Sequence, residues 1–338
     1  MGAFFNHWLA RNCITLLGFA LVAWVLWSGS HHERWQRAWR RFRGDKIGMA
    51  ALIVTCIYLF IGALEVIHIP GGKGGSRSVI DVLFAARIPS EKTYSAPMES
   101  HLLSSVDPTP LRGRHLLGTD ALGKDVLIET LKGCSTALII GGLTSLIYIP
   151  LGTLAGLCAG YFRRRVDDAI QYIYSTLAAI PQILLLIAII MVLDKGLWQM
   201  SLALGITGWV GLCRLIRGET MRQSERTYVM AARALGQSHW QIISRHVLPN
   251  VMHLVIINAV LGFSGVVLAE ATLGYLGVGS PVGTPSWGNM IDGGRSELSR
   301  DPLVWWNLTA AGIALFILVL ALNLLADSLR RAFDPKRS

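Results

Sequence analysis

A chain of 338 residues, 52% hydrophobic and only 15% charged, with a mean hydropathy of +0.48, lacks the balance of a soluble globular protein, where about a quarter of residues are charged. A net charge of +10 would suit a nucleic-acid binder if the cations gathered on one soluble face. They cluster instead at the ends of apolar runs, which excludes nucleic acid as the partner and leaves the lipid bilayer.

In chain order, residues 14–27 ("ITLLGFALVAWVLW") are apolar for about four helical turns. They read as an uncleaved extra span with an external N-terminus, or as a segment lying in the interface. Cleavage near Ser28 or Ser30, as in a signal peptide, would send the following arginines outward. Residues 1–30 thus form an N-terminal hydrophobic segment. Residues 31–69 carry the basic stretch "ERWQRAWRRFRGDK" and the first core span, 70–132 an external loop, 133–330 the core domain, and 331–338 a tail on the inner side.

Windows free of Asp, Glu, Lys and Arg run over residues 47–64, 133–162, 169–193, 196–213, 246–269 and 303–326. Crossing a bilayer takes roughly 20 helical residues, so these six windows read as six spans, two of them short. With the arginine-rich stretch inside and the spans alternating, 19 Lys and Arg fall inside and 11 outside, in agreement with the positive-inside rule. The loop over 70–132, with "HIPGGKGGSRS" and "SVDPTPLRGRH", reads as irregular, and so does the turn-rich external stretch 274–302, whose Trp287 suits an interfacial position. Pro150 and Pro181 fall inside spans as kinks, or as hinges beside a solute path. The cysteines lack metal or disulfide spacing and read as packing residues.

Three tempting sites carry little. "GTDALGKD" (118–125) nearly matches a phosphate-binding loop, but Asp125 stands where Ser or Thr should hold magnesium, so nucleotide belongs to another chain. His31, His32 and Glu33 are consecutive and read as a solvated turn, not a metal site. Glu270, near the outer end of a span, either contacts solute or hydrogen-bonds the external loop.

The segment 222–249 interrupts this apolar chain with soluble-looking sequence. Tyr228, Ala231, Ala232 and Leu235 recur on one helical face, with Arg222, Arg226 and Arg233 on another. Gly236 breaks the pattern, and a second short helix follows with Trp240, Ile243 and Val247 on its stripe before Pro249. This is a compact helical knob able to transmit rigid displacement, or a helix pair resting on lipid.

"AARALGQSHWQIISRHVLPN" resembles the EAA loop of ABC importer permeases, with Ala231, Ala232, Gly236, Leu248 and Pro249 at the matching places. Met230 replaces the usual acid, and His246 stands where isoleucine is common. "HLLGTDALGKDVL" (115–127), "AEATLGYLGVG" (269–279), "TPSWGNMIDGGR" (284–295) and "LADSLRRAFDP" (325–335) extend the resemblance, over about residues 34–335, to the C-type permease of the dipeptide, oligopeptide and nickel importer group.

The resemblance implies an all-α membrane protein with the type I ABC importer fold, six core spans plus the extra N-terminal helix, in a bacterial inner membrane with the C-terminus inside. It implies a homologous permease partner, two ABC ATPase subunits that bind ATP and magnesium, and an external solute-binding protein; this chain itself would be no enzyme. Tyr228, Ala231, Ala232, Arg233, Gly236, His246, Leu248 and Pro249 would couple to the ATPases, with Pro181 and Glu270 as candidates for the solute path or gate. An ion-gradient transporter or channel is the alternative from a different class; it would need paired intramembrane charges or broken helices arranged around a midplane site, and the six windows contain no Asp, Glu, Lys or Arg.

Overall fold

The computed structural model describes residues 33–70, 76–85, 90–103, 109–281 and 283–333; the expectations for residues 14–27, His31, His32 and Cys13 lie outside them. The chain is organised as two compact units, one of residues 1–139 with 267–328 and the other of residues 140–266 with 329–338.

In the first unit, α1 (Glu33–Gly44) is a basic amphipathic helix that buries Ala38 and Phe42. Asp45 separates it from α2 (Lys46–Val66) and caps the latter, its Oδ1 accepting from the amides of Ile47 (3.1 Å) and Gly48 (3.3 Å). Gly48 packs against α11 (Trp306–Phe333), where a Cβ would lie 2.6 Å from Ser328 Cβ. Higher up, the Tyr58 hydroxyl donates to the Ala314 carbonyl at 2.9 Å.

The loop read as irregular is more ordered than its composition suggests. Strands β1 (His68–Pro70) and β2 (Ser76–Ser78) pair antiparallel, with Ile69 opposite Arg77. A π-helical turn (Asp81–Ala85) follows, and burial, which alone would raise the Asp81 carboxyl, is outweighed by the Lys132 ammonium at 2.5 Å, so the group sits below its usual range.

The stretch resembling a phosphate loop is a folded latch. His115, 1% exposed, places Nδ1 2.8 Å from Asp125 Oδ2 and Nε2 3.5 Å from Glu91 Oε1. Glu91 also accepts from the amides of Arg112 (2.7 Å) and Gly113 (3.2 Å). Thr119 receives the Ser95 amide (2.7 Å) on its hydroxyl, and its carbonyl takes the Trp306 indole N–H (3.0 Å). Asp120 Oδ1 closes the turn on the amides of Leu122 and Lys124, and Asp125 Oδ1 accepts from Ile128 N (3.1 Å), starting α3 (Val126–Phe162) seven residues before the charge-free window begins.

The stretch 274–302 contains a further helix, α10 (Trp287–Glu297), capped by the Ser286 hydroxyl. Trp287, expected at an interfacial position, is buried within the protein, and its indole N–H donates to the Thr130 carbonyl at 2.9 Å. A hydrogen-bond partner 157 positions away decides its place.

In the second unit, α3 packs on α6 (Leu197–Ser224) through glycines at every fourth position. A Cβ at Gly152 would stand 2.9 Å from the Trp209 carbonyl, at Gly156 2.8 Å from that of Cys213, and at Gly160 2.6 Å from that of Arg217. Three bare backbone patches let the helices meet along α3, the close approach favoured in lipid, where apolar side chains gain nothing by leaving the solvent. Gly156→Leu is therefore expected to cost about 1–3 kcal/mol through overpacking. Thermal unfolding in detergent should show a clear loss for it and almost none for Gly208→Ala, where nothing lies within 4 Å.

The window 169–193 is not one continuous span. It divides into α4 (Arg164–Ala178) and α5 (Gln182–Leu193), bent by 86°, and Pro181 is the N-cap of α5, not a kink inside a helix. The Arg217 guanidinium holds α4 to α6 with two bonds to Asp167, Nε to Oδ1 at 2.5 Å and Nη2 to Oδ2 at 2.7 Å. Pro150 lies within α3. Among the described residues, five helices are long and apolar enough to cross a membrane, or six if the bent pair counts as one span.

Candidate coupling loop

Residues 222–249 fold as the knob expected from their sequence, but with a different face inward. Helix α7 (Thr227–Ala234) buries Val229 (0% exposed) and Ala232 against Leu157, Tyr161 and Ile216, together with Ile242, Ile243 and Val247. The predicted stripe of Tyr228, Ala231 and Leu235 faces out, with Ala232 alone turned in. Val229 and Ala232, one turn apart, present a branched and a small side chain to the bundle, and the face beside them is left open.

The turn between the helices is a Schellman motif. Leu235 ends the helix, Gly236 N bonds the Arg233 carbonyl (3.0 Å), and Gln237 N bonds that of Ala232 (3.2 Å). Gly236 has φ +76°, a left-handed conformation that glycine adopts without strain. Ser238 then starts α8 (His239–Ile242) with a capping box: its hydroxyl accepts from Gln241 N, and Gln241 Oε1 accepts from Ser238 N at 3.1 Å. A π turn (Ile243–Val247) leads into α9 (Leu248–Tyr275) directly before Pro249, which brings no amide hydrogen to the ladder.

Side chains clasp this knob from several directions. His246 Nε2 lies 3.1 Å from Gln237 Oε1, so the residue that replaces the common isoleucine ties the second helix back to the glycine turn. Asn250 Nδ2 bonds the His246 carbonyl (2.6 Å) and the Tyr228 hydroxyl (3.2 Å), and that hydroxyl donates to Gln223 Oε1 (2.7 Å). On the other side Tyr161 meets His239 Nδ1 at 3.1 Å, and the Arg233 guanidinium lies 4.9 Å from the Tyr161 ring centre.

Several apolar side chains remain outward: Leu235 is 81% exposed and Trp240 61%, and Tyr228 and Met230 are exposed on different sides of α7. Arg222, Arg226, Arg233 and Arg245 are exposed as well. Leu248 is half-buried and Pro249 exposed, so all eight predicted coupling residues belong to the knob or to the helix start that closes it.

Pro181 and Glu270 stand elsewhere. Pro181 is exposed at the start of α5. Glu270, 1% exposed, accepts from the hydroxyls of Ser286 (2.6 Å) and Ser280 (3.2 Å), which commits its Oε1 to the turn-rich loop and favours the structural of its two readings. The glycine stripe of α3 and the Asp167–Arg217 pair are the supports of this unit that periodicity alone did not single out.

Residues 149–338, the knob included, match the family described as binding-protein-dependent transport system inner membrane component, and residues 33–68 match the N-terminal TM domain of oligopeptide transport permease C. The chain is 29% identical to the oligopeptide transport system permease protein OppC of Bacillus subtilis (strain 168), covering 89% of this chain and 90% of that protein. It is 34% identical to the di/tripeptide transport system permease protein DppC of Pseudomonas aeruginosa (strain UCBPP-PA14), covering 80% and 89%. A solved MetNI methionine ABC transporter aligns with 62% of this chain and 96% of its own at a TM-score of 0.47 and 18% identity. With the spans, the knob and two matched segments in agreement, the chain belongs to the family of inner membrane permease components of binding-protein-dependent ABC importers.

Proposed function

We propose that this chain is the permease subunit of an ATP-driven importer of di- or oligopeptides, and that the knob over residues 222–249 is where separate ATPase subunits grip it. The observation that carries this reading is the contrast within the knob: a clasped, glycine-jointed scaffold inside and large apolar side chains, Leu235 and Trp240 above all, left exposed outside. Exposed aromatic and aliphatic side chains on a rigid support that also carries exposed arginines have the composition of a protein interface. With Met230 at the usual acidic position, that place offers a partner an apolar side chain and no carboxylate.

The peptide substrate is supported by the relatives, which are named for oligopeptide and di/tripeptide transport. In this reading a homologous permease completes the path and an external binding protein delivers the peptide. Two ATPases hold ATP and magnesium, and this chain performs no catalysis. The knob and the C-terminus then face the cytoplasm. Movement of the ATPases is carried through α7 and the Gly236 turn into α6 and α9, because short packed helices shift as bodies and do not stretch.

The test is co-purification of this chain from the membranes of its own cells, with Leu235→Cys as a crosslinking site. Two ATPase chains captured, with the crosslink running to one of them, is the expected result. Peptide flux driven by an ion gradient in liposomes containing this chain alone would overturn the reading.

A further inference from the structure

Beside the coupling knob and the outer latch, the structure holds a groove with its own chemistry. It runs between α2 and α11, about 350 Å³ in volume, and its walls are aliphatic side chains, among them Ala50, Val54, Ile317 and Leu320. Lys46 is the exception, at the end where α2 begins. Directly before that end lies α1, which carries Arg34, Arg37, Arg40, Arg41 and Arg43 against a lone acid, Glu33. Trp39, half exposed, stacks on the buried Phe42 at 5.5 Å, and the Arg43 guanidinium lies 5.5 Å from the Trp39 ring centre.

We propose that the groove and the basic helix together bind one anionic phospholipid, with an acyl chain lying between α2 and α11 and the phosphate held by Lys46, Arg40 and Arg43. The groove is apolar along its length and cationic at one end, which is the polarity of a lipid and the reverse of what a transmembrane helix from a partner would need. A protein helix would cover the aliphatic walls but offer Lys46, Arg40 and Arg43 no anion. Anionic headgroups attract juxtamembrane cations strongly, and an aromatic ring beside them suits the headgroup level. Asp45, next to Lys46, is held by the cap of α2, with its Oδ1 on the amides of Ile47 and Gly48. The proposal needs only that the chain spans the bilayer, so it stands or falls separately from peptide transport.

The experiment uses the assembled transporter, purified with its partners and exposed to equimolar phosphatidylglycerol and phosphatidylcholine, with retained lipid counted by native mass spectrometry. The readout is the difference between the wild type and two variants. Wild type should retain more phosphatidylglycerol than the triple variant Arg40→Gln, Arg43→Gln, Lys46→Gln, by roughly fivefold per lost cation and roughly a hundredfold in all. Ala50→Trp, which fills the groove and leaves every cation in place, should lose the same lipid. Equal retention by wild type and triple variant, or no preference between the two lipids, overturns the proposal. A near-complete crosslink from Ala50→Cys to the partner permease also overturns it, by assigning the groove to protein.

Discussion

Leu235→Asp combined with Trp240→Asp is expected to abolish uptake while the chain still inserts and folds. Both side chains are largely exposed, so their loss removes little from the interior of the knob, whose packing rests on Val229, Ala232, Ile242 and Ile243. Against a docked ATPase the balance differs. Burying a large apolar side chain contributes about 1.5–3 kcal/mol, and a carboxylate forced into the same pocket adds a desolvation cost of its own. The pair should weaken docking by roughly 3–5 kcal/mol, a hundredfold or more. The measurement is ATPase retention on purification beside peptide uptake in cells. Loss of both with normal membrane levels of the permease is the expected pattern; unchanged uptake would remove these two side chains from the coupling interface. Gly236→Ala is the milder companion: no atom lies within 4 Å of the added Cβ, and the φ of +76° sets a strain of about 1–2 kcal/mol. Its effect should be partial and should follow the stability of the turn.

How much of this could be read from the residues alone depends on how local each determinant is. A window such as 47–64 without a charge is a property of consecutive residues, and α2 occupies it with two or fewer extra residues at each end. The glycine turn was legible at Gly236 for the same reason, while the capping box of Ser238 and Gln241 behind it emerges only with the structure. The break at residues 179–181 was not legible, because an apolar run reads the same whether or not it is bent, and Pro181 serves a kink as well as a new N-terminus. The buried face of α7 was read one position off, since Tyr228 or Val229 could lead the stripe until the bundle chooses between them. Trp287 and Glu270 took their places from partners far along the chain or from a loop whose composition shows no order. The spacing of Gly152, Gly156 and Gly160 is plain in the sequence, but it has meaning only once α6 lies against it.

The latch at His115 supports the second large expectation. His115→Leu keeps the volume near that of the ring and removes both polar contacts, leaving the Asp125 and Glu91 carboxylates with only their backbone donors, Ile128 N on one and the amides of Arg112 and Gly113 on the other. Taking one partner from a buried charged group is far costlier than never having built the pair, on the order of 3–5 kcal/mol, and the retained amides bring the expected loss to about 3 kcal/mol. Because Asp125 also starts α3 and Thr119 ties the same turn to Trp306, the loss should spread through residues 109–125 and the facing residues 91–103 and stay out of the knob. Limited proteolysis should then cut within residues 109–125 readily in the variant and slowly in the wild type. ATPase retention should stay normal, the opposite of the result for Leu235 and Trp240. His115→Gln, which can still offer an N–H toward Asp125, should recover part of the protection; if Leu and Gln behave alike, the contact between His115 and the two carboxylates does not hold the latch.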